Sequence, residues 1–350
     1  MKRTFKLLGV AMLAACAAVA AVAGVFAPDA PGAVLAMLPP MADADQLAMV
    51  GFGGLVINRA NLTLLTQAFN AAFKNGIGVV KPMWQEVAMK VPSSTGEEKY
   101  AWLGATTRFR EWLGERVYQN LKLHDYSIKN KTFENTVAVP REAIEDDQYG
   151  VYSPLMTQLG QDSALHPDEL VFALIASGFT ATCYDGQYFF DTDHPVGPNE
   201  APVSVSNHGG GAGTAWYLLD TTKAIKPFIL QMRRDYAFTA KTSMTDDNVF
   251  DKKEFVYGVD GRLNVGYGLW QLAYASKQAL DVTGYAAART AMMSFKGDNG
   301  KPLNVTPNIL LVPPSLEKAA LDVIQAERLA NGATNTYRNT ARVVVAPWLA

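Results

Sequence analysis

Apolar residues along this chain change their spacing several times, and each change marks an expected element. Leu62, Leu65, Phe69 and Phe73 recur at helical spacing. A first helix is expected there, capped by Asn61 and stopped at Asn75-Gly76. The helical period then disappears from about Val87 to Tyr126. Val87, Met89 and Val91 alternate with polar neighbours, Pro92 to Glu98 read as a polar turn, and aromatic and charged residues interleave in YAWLGATTRFREWLGERVY. Such a stretch buries little by itself. With about 20 residues per arm at about 3.3 Å each, a hairpin loop over this segment would project about 65 Å and find its surface on another molecule.

Phe133, Asn135, Val137 and Val139 lie on one face of a strand that Pro140 ends. From Tyr152 to Phe179 the period returns to that of a helix, continuous or interrupted. Pro167, Asp168 and Glu169 suit a positive helix end, and Gly178 suits a terminator. Residues 183–310 read as mixed α/β. NHGGGAGT at 207–214 reads as a surface loop, and KPFILQ at 226–231 as a strand. Phe255, Tyr257 and Val259, then Asp260-Gly261, then Leu263 and Val265 read as a hairpin with a two-residue turn. Asn308 to Val312 read as a buried strand. A helix capped by Ser315 follows, with Leu316, Ala320, Val323 and Ile324 on one face and its end at Asn331-Gly332. RVVVAPW is a last strand closed by Pro347. No repeat of solenoid or propeller spacing is present.

The first 26 residues, MKRTFKLLGVAMLAACAAVAAVAGVF, add a different signal. Lys2, Arg3 and Lys6 precede a charge-free run, the layout of an export signal, and Leu13-Ala14-Ala15-Cys16 resembles a lipidation box. Residues 28–54, rich in Pro, Ala and Gly, read as a linker or mobile arm. The 350 residues are 49% hydrophobic and 18% charged, a globular composition with a formal net charge of -2. No clustered basic excess exists of the kind that grips nucleic-acid phosphates. The two cysteines, Cys16 and Cys183, leave no internal disulfide if a leader is removed at Cys16.

Candidate chemistry is sparse. Asp185, Asp191, Asp193 and His194 in CYDGQYFFDTDHP could ligate a metal or act as acid and base. However, Asp and His before proline also cap turns, and His124, His166 and His208 lack paired spacing. His208-Gly209-Gly210-Gly211 resembles an oxyanion loop without its G-x-S-x-G partner. Cys183 reads as a small buried hydrophobe. Arg108, Arg110, Glu111, Glu115 and Arg116, with Trp102 before them and Trp112 among them, form an alternating-sign cluster. They read as a solvated face or as an interface belt. The expectation is a chain without catalytic, cofactor or metal residues.

Several blocks in order resemble one family: YAWLGATTRFREWLGERV, FENTVAVPREAIEDDQYGVYSPLMTQLG, DELVFALIASGFTATCYDGQYFFDTDHP, GVDGRLNVGYGLWQLAYAS, ILLVPPSLEKAALDVI and VVVAPWL. They are similar to the major head subunits, the major capsid proteins, of Mu-like bacteriophages and prophages, from about Val56 to Ala350. The resemblance implies an α+β tailed-phage major capsid fold of the Hong Kong 97 type. It divides the chain into a signal-like extension at 1–50, an N-terminal arm at 51–80 and an extended loop at 81–130. A peripheral domain with a spine helix at 131–182, an axial domain at 183–310 and a closing helix and strand at 311–350 complete it. It implies self-assembly into pentamers and hexamers around double-stranded DNA held without sequence-specific binding. Implied partners are a scaffold, a maturation protease, a portal and decoration proteins, with Trp102, Arg108, Arg110, Glu111, Trp112, Glu115 and Arg116 as interface candidates. It also implies location in the virion after assembly in the host cytoplasm, with no membrane and no cofactor. Residues 1–50 go beyond the resemblance. They are expected to reflect a start at Met41 or Met49, a true arm, or an export signal. The competing functional readings are a lipid-anchored binding protein, resting on Leu13–Cys16, and a metal-dependent hydrolase at Asp191 to His194.

Overall fold

The computed structural model describes residues 57–100, 103, 126–146, 148–197 and 202–350. The leader, the Leu13–Cys16 box, the 28–54 linker and the interior of the expected loop, 104–125, lie outside the described residues.

Helix α1 (Arg59–Val79) begins one turn earlier than expected. Asn58, in an extended conformation, caps it by accepting the Asn61 amide at 2.8 Å. The helix also runs through Gly76 instead of stopping there, because Gly76 serves packing. A Cβ at that position would lie 2.0 Å from the Thr157 carbonyl oxygen. The arm expected over 51–80 therefore takes, from Arg59 onward, the form of a helix packed into the subunit's own core.

After α1 come α2 (Trp84–Val87), β1 (Ala88–Pro92), β2 (Glu97–Lys99), β3 (Ser127–Lys129), β4 (Lys131–Pro140) and α3 (Arg141–Glu145). Helix α4 (Ser153–Ser177) then spans 25 residues without a break at Pro167. Short strands β5 (His194–Val196) and β6 (Val203–Val205) pair with each other, followed by β7 (His208–Gly211), β8 (Trp216–Leu219) and β9 (Phe228–Lys241). The rest comprises α5 (Asp247–Lys252), β10 (Glu254–Tyr267), β11 (Ala273–Lys277), α6 (Val282–Met293), β12 (Ile309–Val312), α7 (Glu317–Ile324) and β13 (Arg342–Val345).

One sheet has the order β1-β9-β10-β4. Helices α1 and α4 cover one face of it. Leu62, Leu65, Phe69 and Phe73 of α1, with Met156 and Leu159 of α4, pack on Val139, Phe255, Tyr257 and Val259. The expected hairpin at Asp260-Gly261 does not form; β10 runs straight through it, with a bulge between Asp260 and Leu263. Both neighbours, β4 and β9, continue past this point, so a turn there would strip two ladders of partners. Gly261 instead admits the Tyr236 ring, which a Cβ would meet at 2.7 Å.

The second sheet has the order β13-β12-β8-β11-β7. Its apolar strands, among them Leu218, Leu219, Leu310 and Leu311, are buried together with Tyr285 and Met292 of α6 and Ala320 and Val323 of α7. The glycine-rich stretch forms strand β7, parallel to β11, rather than a surface loop. The missing side chains are what permit the pairing, since a Cβ on Gly211 would lie 2.3 Å from the Lys277 carbonyl carbon.

Helix α7 ends at Ile324, well before Asn331-Gly332, because the Asn335 side chain takes the Val323 and Ala326 carbonyls at 2.8 and 3.0 Å. Ser315 sits inside the preceding 3-10 turn, Pro314–Leu316, and the residue at the cap position is Leu316. Strand β13 joins this five-stranded sheet alongside β12, not the four-stranded one. The chain end reaches α4 through a side chain, with Trp348 stacked on Phe172 at 5.5 Å and 5°. No described helix is long and apolar enough to cross a membrane.

Candidate functional site

The expected projection has a well-built base. Strands β2 and β3 pair antiparallel, Glu97 with Lys129 and Lys99 with Ser127, and the Tyr100 amide donates to the Tyr126 carbonyl at 2.8 Å. The turn before β2 is held by one carboxylate. Glu98 Oε1 accepts the Ser94 and Thr95 amides at 2.7 and 2.9 Å and the Ser93 hydroxyl at 3.0 Å. Those donors, the Thr95 amide foremost, hold its carboxyl down at about 2.

Below the turn, Gln231 of β9 gathers the stem. Its Oε1 accepts from the Tyr100 hydroxyl at 2.8 Å, and its Nε2 donates to Ile128 O and Asn130 Oδ1 at 2.9 and 2.8 Å. Burial pushes the Tyr100 hydroxyl up to about 12, so this hydroxyl remains a donor. Tyr126 accepts the Tyr267 amide at 2.8 Å and is likewise pushed up by burial. Both ends of segment 100–126 are thus pinned to the four-stranded sheet. The interface candidates Trp102, Arg108, Arg110, Glu111, Trp112, Glu115 and Arg116 belong to the part outside the described residues.

A second anchor joins α4 to the start of this region. Asp168 is fully buried, and its carboxylate accepts the Trp84 and Met83 amides at 2.6 and 3.0 Å. The sequence places Asp168 at a positive helix end, and it does occupy one. That end belongs to α2, not to its own helix. Burial raises its pKa, and the two amides pull part of that back.

The candidate acid cluster divides. Asp191 serves backbone groups, accepting the Thr192 and Tyr188 amides at 2.7 and 3.1 Å. Asp193 contributes its carbonyl to Gln187. Only Asp185 and His194 meet, Nδ1 to Oδ2 at 2.7 Å, with the imidazole stacked 4.0 Å from Trp270. Cys183, read from sequence as a plain hydrophobe, joins them through an Sγ to Asp185 Oδ1 contact of 3.0 Å. Burial alone would raise Asp185, but hydrogen bonds from His194 and Cys183 outweigh it and hold the carboxyl below its usual value. Burial, then the Asp185 charge, pushes the Cys183 thiol well up, which makes it inert as a nucleophile.

His208 is separate. It lies edge-on to Phe179 at 5.2 Å, a ring that also carries Lys277 Nζ 4.1 Å from its centroid, and the nearby Ser206 hydroxyl serves the His208 backbone at 3.0 and 3.2 Å. His166 bonds the Tyr236 hydroxyl at 2.5 Å, a tie between α4 and β9 that no sequence spacing signals. Gln231 and Asn207, the two polar hubs, were equally silent in the sequence, since an isolated amide carries no periodic signature.

Comparison with known proteins gives one consistent result. A family model described as the Mu-like prophage major head subunit gpT matches residues 62–349. The major capsid protein of Escherichia phage Mu is 39% identical over 305 residues, covering 84% of this chain and 100% of that protein. A subunit of the procapsid of bacteriophage JBD30 superimposes with a TM-score of 0.76 at 43% identity, over 83% of this chain and 100% of the other. The JBD30 capsid decorated with minor capsid protein trimers gives 0.68 at 32% identity, over 85% and 100%.

Proposed function

Since this chain belongs to the Mu-like prophage major head subunit family, we propose that it closes with copies of itself, as pentamers and hexamers, into the icosahedral shell that encloses phage double-stranded DNA. It is a structural virion protein and not an enzyme. The observation that carries the reading is the match of fold and sequence over nearly the whole body, with a TM-score of 0.76 to a procapsid subunit at 43% identity.

The described architecture supports it. A stem fixed by Gln231, Tyr100 and Tyr126 to the subunit's own sheet holds the base of segment 100–126 at a set angle. A rigid base is what a contact repeated around a closed ring requires, because a variable angle would let the assembly run open. Of the expected 81–130, β1 belongs to the subunit's own sheet and α2 leads directly into it, so we assign residues 93–130 as the extended loop, with Trp102, Arg108, Arg110, Glu111, Trp112, Glu115 and Arg116 as its contacts on a neighbouring subunit. Individually modest contacts of this kind become cooperative across a shell. The near-neutral charge suits a container, since a strongly basic lining would retain the genome it must release. A scaffold, a maturation protease, a portal and decoration proteins complete the expected partners, and JBD30 capsids carry minor capsid protein trimers.

Residues 51–350, expressed alone or with a scaffold, are expected to yield capsomers or shells by negative-stain microscopy. A product that stays monomeric under every assembly condition would refute the reading. Mass spectrometry of assembled particles then locates the mature N-terminus.

A further inference from the structure

Between the end of α4 and β7, three side chains of metal-binding type converge. Cys183, Asp185 and His194 each place a ligand atom within 4.8 Å of the others. Sγ lies 3.0 Å from Asp185 Oδ1 and the imidazole Nδ1 lies 2.7 Å from Oδ2. The His194 side chain is fully buried and that of Asp185 is 6% exposed.

The hydrogen bonds around the imidazole impose a constraint. Asn207 donates Nδ2 to the carbonyls of Phe189, Trp270 and Ala273, and its Oδ1 accepts the Asp191 amide. The atom facing His194 Nε2, at 3.3 Å, is therefore an acceptor, placed to take an Nε2–H. In that tautomer Nδ1 turns its lone pair toward a carboxylate oxygen at a buried position, as it would toward a metal ion. A metal ion between the two would satisfy the imidazole nitrogen and the carboxylate together.

We propose that Cys183, Asp185 and His194 form a structural site for a divalent ion of the zinc class. An imidazolium–carboxylate pair needs no thiol, yet Cys183 occupies the carboxylate's other oxygen. Asn207 does for His194 what the outer partner of a metal-bound imidazole does, taking the far N–H and turning the near nitrogen inward. Charge balances as well. A thiolate, a carboxylate and a neutral imidazole cancel a divalent ion, which releases the thiol proton and any proton on Nδ1 to solvent and leaves the buried site neutral. Zinc bonds of about 2.0–2.3 Å set tetrahedral ligand atoms about 3.3–3.6 Å apart, so the two Asp185 contacts open by less than about 1 Å, while the sulfur and the imidazole, within 4.8 Å, settle to that spacing. The second carboxylate oxygen or a water completes the shell. Sulfur and imidazole favour zinc or cobalt over calcium or magnesium. The ion would clamp the turn that carries the chain from the long helix into the five-stranded sheet. This goes beyond head assembly and departs from the expectation, from sequence, of a metal-free chain.

The test is to strip the purified full chain with a chelator and titrate it with cobalt(II), then displace that with zinc. The expected result is saturation at one ion per chain, a thiolate-to-cobalt charge-transfer band in the near ultraviolet, and a higher melting temperature with zinc. Cys16→Ser retains all three. Cys183→Ser loses the band and the thermal shift while matching the wild type in circular dichroism without metal. If Cys183→Ser does not fold, X-ray absorption on zinc-loaded Cys16→Ser reads the sulfur ligand directly. A wild type without the band, a band that survives in folded Cys183→Ser, or an absorption shell of nitrogen and oxygen alone would overturn the proposal.

Discussion

Gly76 of α1 and Gly160 of α4 face each other where the two helices cross. A Cβ on Gly160 would lie 2.1 Å from the Phe73 carbonyl oxygen and 3.1 Å from the Gly76 Cα. Backbone meets backbone there, and no side chain is present to move aside. Gly160→Ala is expected to destabilise the subunit by about 3 kcal/mol, the upper range for overpacking a core. Urea denaturation of the isolated subunit measures it; an unchanged midpoint would show that the helices can separate at little cost.

Asp168 holds α2 from a buried position. Replacing it with alanine leaves the Met83 and Trp84 amides without their acceptor, at a cost of about 1–3 kcal/mol for each group left unsatisfied. Asn at this position keeps one acceptor but turns an N–H toward the second amide, so Asp168→Asn is expected to fall between wild type and Asp168→Ala. Thermal melting of the three proteins gives the ranking.

His166 brings a pH dependence whose sign is fixed by its burial. Burial lowers its pKa from 6.5, with Glu169 only partly opposing, so the folded chain favours the neutral ring beside the Tyr236 hydroxyl. The unfolded chain binds the proton at higher pH than the folded one. Stability from the neutral ring is therefore complete above about 6.5 and is lost as pH falls toward the folded value. His208, also lowered by burial, acts in the same direction. Melting temperatures measured between about pH 7 and about pH 5 should decline, less steeply in His166→Gln and separately less steeply in His208→Gln. A wild-type slope retained in both variants would place the titration elsewhere.

Glu98 closes the turn at the base of the expected loop. With Glu98→Ala, the Ser94 and Thr95 amides lose their acceptor, and their hydrogen exchange should accelerate while that of β9 and β10 stays unchanged. Because the carboxyl stays ionised down to about 2, the turn should hold in mildly acidic buffer. Identical exchange in the two proteins would remove Glu98 from this role.

The assembly proposal assigns the alternating charges of residues 108–116 to a contact on a neighbouring subunit. Reversing Arg108 and Arg110 to Glu is expected to block shell closure while leaving a folded, soluble subunit, read by sedimentation velocity and circular dichroism. Shells of normal yield from that variant would exclude the two arginines from the contact.

Apolar patterning alone placed the first helix, the edge strand over residues 131–140, the long helix and the buried strand at 309–312. In the first three, one face repeats apolar residues at a fixed interval, and in the last the apolar run is unbroken; both are local properties. Ordered sequence blocks placed the family. Where glycine or a polar residue decided the outcome, local reading failed. Asp260-Gly261 reads as a turn, yet it lies mid-strand because β4 and β9 both continue alongside it. Gly76 reads as a stop, yet it is a crossing point. Asp168 caps a helix 84 residues away in sequence from its own position. Cys183, Asp185 and His194 sit in one short motif, but the imidazole faces Asn207, which is held by the Phe189 carbonyl of that motif and by the Trp270 and Ala273 carbonyls of a distant segment. Hydrophobic spacing is written along the chain because burial of a face needs only its neighbours. A glycine's clearance, a carboxylate's partner and an imidazole's orientation are set by atoms that only folding brings near.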